Sequence, residues 1–354
     1  CNYADKTFNN CISFDRFINT CSLWCLAISF LDLKNFNLQQ GIIHIPMELP
    51  WNSPGYVNVY FIEDNDGYVM IDCGVNGIKY QELLETKMDL IGLSYENVKL
   101  LIGTHMHSDH IGLSSTLRKK GIPFALYKNS VDFINGYNDW SIRFKKLREF
   151  AKKEGAPKSF LNDLDQIETP LYAGKISKPD VLLDEGNIKN IKRNIEIIFT
   201  PGHDRTEISI LDNPSKILFS GDHILPKITP FIPLEDADDD MLEKYTSSLN
   251  KVYNLEQNLI APGHGNLIEK PYSRIEQMQL HHKKRSDKII DLIGDSKFSG
   301  WEIVNLLFPR KLDELNLRLA FQETLAHLIY LENKGLITHV IDSNRNYWEK
   351  VRQV

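Results

Sequence analysis

The densest cluster of potential metal ligands in the chain is the run His105-x-His107-x-Asp109-His110. Imidazole and carboxylate together suit zinc and other first-row divalent metals. If the backbone is still extended at His105 and His107, their side chains fall on the same side, because strand side chains alternate. Asp109 and His110 then lie in the turn that follows and can serve a second ion beside the first. Three later segments each end in another candidate: Thr200-Pro201-Gly202-His203, Ser220-Gly221-Asp222-His223 and Ala261-Pro262-Gly263-His264-Gly265. A glycine precedes each candidate, and a residue without Cβ lets the backbone turn tightly against an ion. The chemistry such a set supports is hydrolysis by a water activated between two ions about 3.5–4 Å apart. Asp109 is also the candidate catalytic residue, placed to orient that water or shuttle a proton. No Gly-x-Ser-x-Gly elbow offers a protein nucleophile instead.

These residues need strand ends to hold them, and the pattern supplies them. Val98 to Gly103 is a near-continuous apolar run, as in a buried strand, and leads straight into His105. Strands are expected at Val57–Ile62 and Tyr68–Asp72 around the turn Asp64-Asn65-Asp66-Gly67, then at Pro123–Tyr127, Ile195–Phe199, Glu207–Leu211, Lys216–Phe219 and Asn258–Ala261. Helices are expected at Gly77–Ile91, Ile111–Lys120 and Asp240–Tyr253. Residues 138–170 interrupt this pattern with a helical, basic insertion (Arg143, Lys145, Lys146, Arg148, Lys152, Lys153), expected over one end of the sheet. Beyond it, helices at Tyr272–Leu292, Trp301–Phe308 and Leu315–Lys334 precede a hairpin at Leu336–Val351, the outline of a winged helix. The expected division is an extension of low order over residues 1–40, a catalytic domain over 41–275 and a winged-helix-like domain over 276–354.

Composition bounds the rest. The 354 residues are 42% hydrophobic and 25% charged, which excludes wholesale disorder. A net charge of −6 argues against a bulk polyanion binder and leaves a local basic groove open. Four of the five cysteines (Cys1, Cys11, Cys21, Cys25) precede residue 26 and only Cys73 follows, so this is no disulfide scaffold. The apolar stretch Cys21–Leu31 is shorter than the roughly 20 residues that span a bilayer and has the length of a signal-peptide core, without a clear cleavage site. A cytoplasmic chain with no membrane partner is the default expectation.

The His-x-His-x-Asp-His motif with a later His, Asp and His resembles the metallo-β-lactamase superfamily over about residues 42–270, and all seven positions match. That resemblance implies an α+β fold, an αββα sandwich with metals at one edge of two sheets. It implies that His105, His107 and His203 hold one ion, that Asp109, His110 and His264 hold a second, and that Asp222 bridges them. Two divalent ions are implied, zinc first, with iron and manganese open. A hydroxide between them would attack an ester, thioester or phosphodiester. Asp72 resembles the family's Asp-x-Gly turn, expected to orient a ligand loop. With a C-terminal winged helix the chain resembles the β-lactamase-like protein 2 group, which implies endoribonuclease activity on single-stranded RNA as one reading. A small ester or an acylglutathione thioester is the other. A non-catalytic scaffold is the reading outside enzymes, and the intact seven positions argue against it. A homodimer is left open. The remaining histidines (His44, His223, His281, His282, His327, His339) are expected to be structural, with His223 near enough to Asp222 to reach the pocket wall.

Overall fold

A computed structural model describes residues 37–234 and 239–352. Cys1, Cys11, Cys21, Cys25 and the apolar stretch therefore lie outside the described residues, with most of the expected extension. Its last residues do not: β1 (Asn37–Gln39) pairs antiparallel with β2 (Ile42–Glu48).

The first sheet runs in sequence order, β1 to β7. It continues through β3 (Tyr56–Asp64), β4 (Gly67–Ile71), β5 (Val98–Ile102), β6 (Phe124–Tyr127) and β7 (Val181–Leu183). Pairing is antiparallel up to β4 and parallel beyond it. The second sheet has the order β12-β11-β10-β9-β8. Its strands are β8 (Gly186–Asn187), β9 (Ile195–Phe199), β10 (Ile208–Asp212), β11 (Ile217–Gly221) and β12 (Leu259–Pro262).

Strand periodicity explains how the sheets stack. Alternate residues point to opposite faces, so Ile195, Ile197, Ile208, Ile210, Ile217 and Phe219 turn inward. There they meet Tyr60, Ile62, Ile71 and Ile102 of the first sheet. The intervening Leu211, Leu218 and Ile260 face outward onto α7 (Met241–Tyr253) and the start of α8 (Pro271–Ile293). On the other flank Val59, Phe61, Met70 and Leu101 face α1 (Ile78–Leu90) and α3 (Ser114–Lys119). The result is the expected four-layer αββα sandwich. Each fully buried Ile or Phe stabilises it by roughly 1.5–3 kcal/mol relative to exposure.

The helix expected over Ile111–Lys120 is instead broken into α2 (Ser108–Ile111) and α3. The break falls at Gly112, where an added Cβ would meet the Asn76 backbone nitrogen at 2.4 Å. The strands β7 and β8 were not anticipated, being three and two residues long.

The inserted segment forms α4 (Ile134–Asn138), α5 (Trp140–Lys153) and α6 (Lys158–Asp165). Its apolar residues do more than cover the sheet. Phe144, Leu147, Ala151, Phe160 and Leu164 share one core with the C-terminal elements. Those are the end of α8, β13 (Lys297–Phe298), α9 (Gly300–Leu307), α10 (Glu314–Asn333), β14 (Ile337–Asp342) and β15 (Arg345–Lys350). The strands β13, β15 and β14 make a small antiparallel sheet. A unit beginning at residue 276 is thus incomplete without α5 and α6. Among the described residues no helix is long and apolar enough to cross a membrane.

Candidate metal centre

Strand β5 ends at Ile102, β9 at Phe199, β11 at Gly221 and β12 at Pro262. The loops leaving these ends bring all seven candidate side chains together. His203 Nε2 lies 3.1 Å from His107 Nδ1, and the nitrogens of His105, His107 and His203 form one tight group. His110 Nε2 lies 3.3 Å from His264 Nε2, and Asp109 Oδ2 lies 3.2 Å from His264 Nε2, making a second. Asp222 sits between them. Its Oδ1 is 3.5 Å from His110 Nε2, and its Oδ2 is 3.5 Å from His264 Nε2 and 3.7 Å from His203 Nε2.

The outer partners settle which ring nitrogens point inward. His203 Nδ1 donates to the Phe231 carbonyl at 2.7 Å, and His264 Nδ1 donates to the Tyr56 carbonyl at 2.6 Å. His110 Nδ1 donates to Asp72 Oδ2 at 2.7 Å. The Thr104 hydroxyl donates to Asp72 at 2.9 Å and accepts from His105 Nδ1 at 3.0 Å. In the neutral rings the opposite nitrogens therefore carry lone pairs directed at the centre. His105 Nε2 and Asp222 Oδ1 are buried there with no hydrogen-bond partner. Lone pairs a little over 3 Å apart repel unless a cation lies between them. Two nitrogens on one tetrahedral ion, each at about 2.0–2.1 Å, would stand about 3.3–3.4 Å apart. The donor set thus fits divalent metal.

The electrostatics show a centre that draws positive charge. Burial works against a charged His110, but Asp72, Asp222 and Asp109 outweigh it and push its pKa up to about 10. Burial also opposes the Asp109 carboxylate, yet His110 and His264 hold its pKa well below the usual range. His105 and His107 are driven well down by burial and by neighbouring imidazoles. The pocket stabilises positive charge at its centre while keeping the imidazoles of His105 and His107 neutral, which is the ligand form.

Two glycines make room for this. At Gly263 an added Cβ would meet Asp222 Oδ1 at 2.5 Å and His110 Cε1 at 2.7 Å. Gly221 has φ 51° and lies against Thr104, in the left-handed region that glycine adopts without strain.

Several positioning residues had no signature in the sequence. Asn58 donates to the Pro262 and Gly265 carbonyls at 2.8 and 2.9 Å and so clamps the His264 loop. His44 bonds Asn58 in turn at 2.8 Å. Glu207, fully buried, accepts the Asp222 N–H at 2.9 Å. Burial, with Asp222 and Asp204 adding to it, pushes the Glu207 carboxyl well up. Asp72 behaves as its turn suggested, with φ 59° and its carboxylate under both Thr104 and His110. His223 packs edge-on to Tyr245, ring centroids 5.1 Å apart, and both its ring nitrogens are buried without a hydrogen-bond partner. Arg143 of α5 is near enough to His107 to help hold it neutral, after burial and His203. Arg318 of α10 lies over Phe144 at 5.1 Å and acts on Arg143 and Tyr172.

A sandwich of two sheets carrying a His- and Asp-rich centre at its strand ends defines a metallohydrolase-type fold. The chain belongs to the metallo-β-lactamase superfamily, whose profile matches residues 52–264. A second profile, the metallo-β-lactamase-like C-terminal domain, matches residues 287–348. The probable metallo-hydrolase YqjP of Bacillus subtilis is 22% identical over 89% of this chain and 99% of its own length. A β-lactamase-like protein 2 homolog of Drosophila melanogaster is 29% identical over 78% of this chain and 82% of its own. The human acyl-coenzyme A thioesterase MBLAC2 is 24% identical over 52% of this chain and 64% of its own. A β-lactamase domain protein from Burkholderia ambifaria shares the fold, with a TM-score of 0.76, 23% identity and coverage of 89% of this chain and 94% of that one. The chain is thus a metallo-hydrolase of this superfamily, which binds divalent metals.

Proposed function

We propose that the chain hydrolyses a thioester or a related carboxylic ester, using two divalent ions, zinc by preference. The observation that carries the metal chemistry is the convergence of inward lone pairs around Asp222. On this reading His105, His107 and His203 would hold one ion, Asp109, His110 and His264 would hold the other, and Asp222 would serve both. Bound there, such ions supply Lewis acidity and lower the pKa of water from about 15.7 to near 7. The side chains do the rest. Asp109 stays a carboxylate and accepts a hydrogen bond from the attacking water, fixing its direction. Arg143 and Arg318 place positive charge on the rim, which favours an acyl group carried on an anionic thiol.

The thioesterase relative supports this choice over RNA. RNA is the second reading, favoured by the basic α5 and by the β-lactamase-like protein 2 relative. Several of the cations it needs are engaged elsewhere. Arg148 bonds Asp165 at 2.9 Å, Lys283 bonds Asp287 at 2.6 Å, and Arg285 lies over Phe308 at 5.0 Å.

The test is turnover by zinc-loaded protein on an acyl-coenzyme A, an acylglutathione, a phosphodiester reporter and single-stranded RNA, with His107→Ala as control. Thioester cleavage that disappears in the variant supports the proposal. Metal-dependent cleavage of RNA alone would replace it with the second reading, and full metal loading without any turnover would overturn both.

A further inference from the structure

We propose that His282, Glu323 and His327 form a further metal site, sharing no residue with the first cluster, that takes one zinc-class divalent ion where α8 meets α10. His282 lies on α8. Glu323 and His327 are one helical turn apart on α10, so they share a face. His282 Nδ1 is 3.4 Å from His327 Nε2. One ligand atom from each of the three residues falls within 4.8 Å of the others. Two imidazole nitrogens on a tetrahedral zinc would be about 3.3–3.4 Å apart, so the histidine pair already has ligand spacing. Glu323 needs only a change of side-chain torsion to close on them.

The surroundings of His327 match what a metal-binding histidine requires, while His282 Nε2 is buried without a hydrogen-bond partner. His327 Nδ1 lies 3.0 Å from Ser286 Oγ. As a donor to that hydroxyl it leaves its Nε2 lone pair facing His282, the outer-partner arrangement that fixes a ligating ring. Both histidines are buried. Burial comes first in keeping both neutral: His282 is lowered to about 3, with His281 and Arg285 adding to it, and His327 is held well below its ordinary value, with His282 and Arg285 adding to it. Burial raises the Glu323 carboxyl, with Arg285 opposing. A bound cation would stabilise its ionised form. Arg285 is the neighbouring charge that resists a cation here. It disfavours hard ions held by charge alone, and favours a metal that bonds to nitrogen. A cavity of about 460 Å³, lined by His282, Ser286, Thr246 and Tyr330, gives an ion a path in from solvent.

The position gives the site its purpose. Helix α8 passes from one core to another, with Ile275 and Met278 packed beside Tyr245 and Ile289 and Ile293 packed among the C-terminal helices. His282 sits at the crossover, its ring 5.2 Å from that of Tyr245. An ion there pins α10 to α8 and so joins the two cores.

The experiment compares full-length wild type with Glu323→Gln and His327→Gln. Zinc per chain is measured after passage over a chelating resin, and thermal midpoints are taken with and without added zinc. The expected result is one zinc fewer per chain in both variants, a smaller zinc-induced rise in Tm, and unchanged hydrolase turnover. The count is a difference, so it holds whatever the occupancy of the catalytic cluster. If His327→Gln fails to fold, Glu323→Gln decides, because its side chain is only partly buried. Equal zinc content and equal zinc stabilisation in wild type and a folded variant would overturn the site.

Discussion

Asp72→Asn is the sharpest probe of how the catalytic centre is held. The carboxylate serves three donors: Thr104 N–H at 2.8 Å on Oδ1, and His110 Nδ1 at 2.7 Å and the Thr104 hydroxyl at 2.9 Å on Oδ2. An amide has one oxygen. Whichever way it is flipped, its NH2 faces a group that was donating. Facing Thr104 N–H it leaves a buried backbone donor unpaired. Facing His110 it drives that ring to the other tautomer, with the proton on Nε2, the nitrogen that points at the centre. A protonated Nε2 cannot ligate. Loss of such an outer partner typically costs 10- to 100-fold in metal affinity, or about 1.4–2.7 kcal/mol. Thr104 also links Asp72 to His105, so both ion positions should weaken, the one at His110 more. Competition with a chromogenic chelator gives the affinities, and nitrogen chemical shifts of the imidazoles give the tautomer. An Asp72→Asn protein with wild-type affinity at both positions and the proton still on His110 Nδ1 would show that Asp72 does not set that ring's tautomer.

Asp222→Ala should hold at most one ion per chain and lose hydrolysis, which elemental analysis and turnover together check; a variant with two ions and full activity contradicts the bridging role. Gly263→Ala should lose metal and activity while remaining folded, because its methyl enters the space beside Asp222 Oδ1; unchanged metal content would show that the loop yields. Glu154→Ala should destabilise by about 3 kcal/mol or more, since it strands three donors, Gly300 N–H, Trp348 Nε1–H and the Asn346 amide, and denaturant midpoints measure it. Burial raises the pKa of Glu154 in spite of those donors, so the folded chain keeps a proton that the unfolded chain releases. Its contribution is then full below the ordinary glutamate value and is lost as pH rises through the folded pKa. The slope should vanish in Glu154→Gln, as Tm against pH from about 4 to 7 would reveal.

The seven centre residues were legible because each follows an apolar strand and carries its own chemistry. Their supports were not. Asn58 reaches the carbonyl of Gly265 across 207 positions of chain, and Glu207 meets Asp222 only because β10 and β11 pair. Neither has a local pattern that distinguishes it from an ordinary polar residue on a strand. Apolar periodicity marks a face of α5 as buried through Phe144, Leu147 and Ala151, but it cannot say what covers that face. The sequence alone suggested the sheet, and the structure places C-terminal helices there. His282 and His327 were read as structural for a related reason. Glu323 and His327 stand four apart on α10, and the third member comes from a helix 45 positions from His327.

The shared core changes where substrate specificity should reside. Helix α5 presents Phe144 and Leu147 to the C-terminal unit and Arg143 toward His107. Its end is fastened by Glu154, which accepts from Trp348 and Asn346 of β15 and from Gly300 at the start of α9. Arg318, which acts on Arg143, stands on α10 itself. The two cations that act near the candidate centre, Arg143 and Arg318, are thus carried on the second core, while the seven candidate ligands are carried on the sandwich. A change in the second core should therefore reach KM before it reaches kcat, because uniform binding is lost while the reacting groups stay in place. A KM that moves first would mean that substrate preference is set from the insertion and the C-terminal helices while the seven candidate ligands stay unchanged.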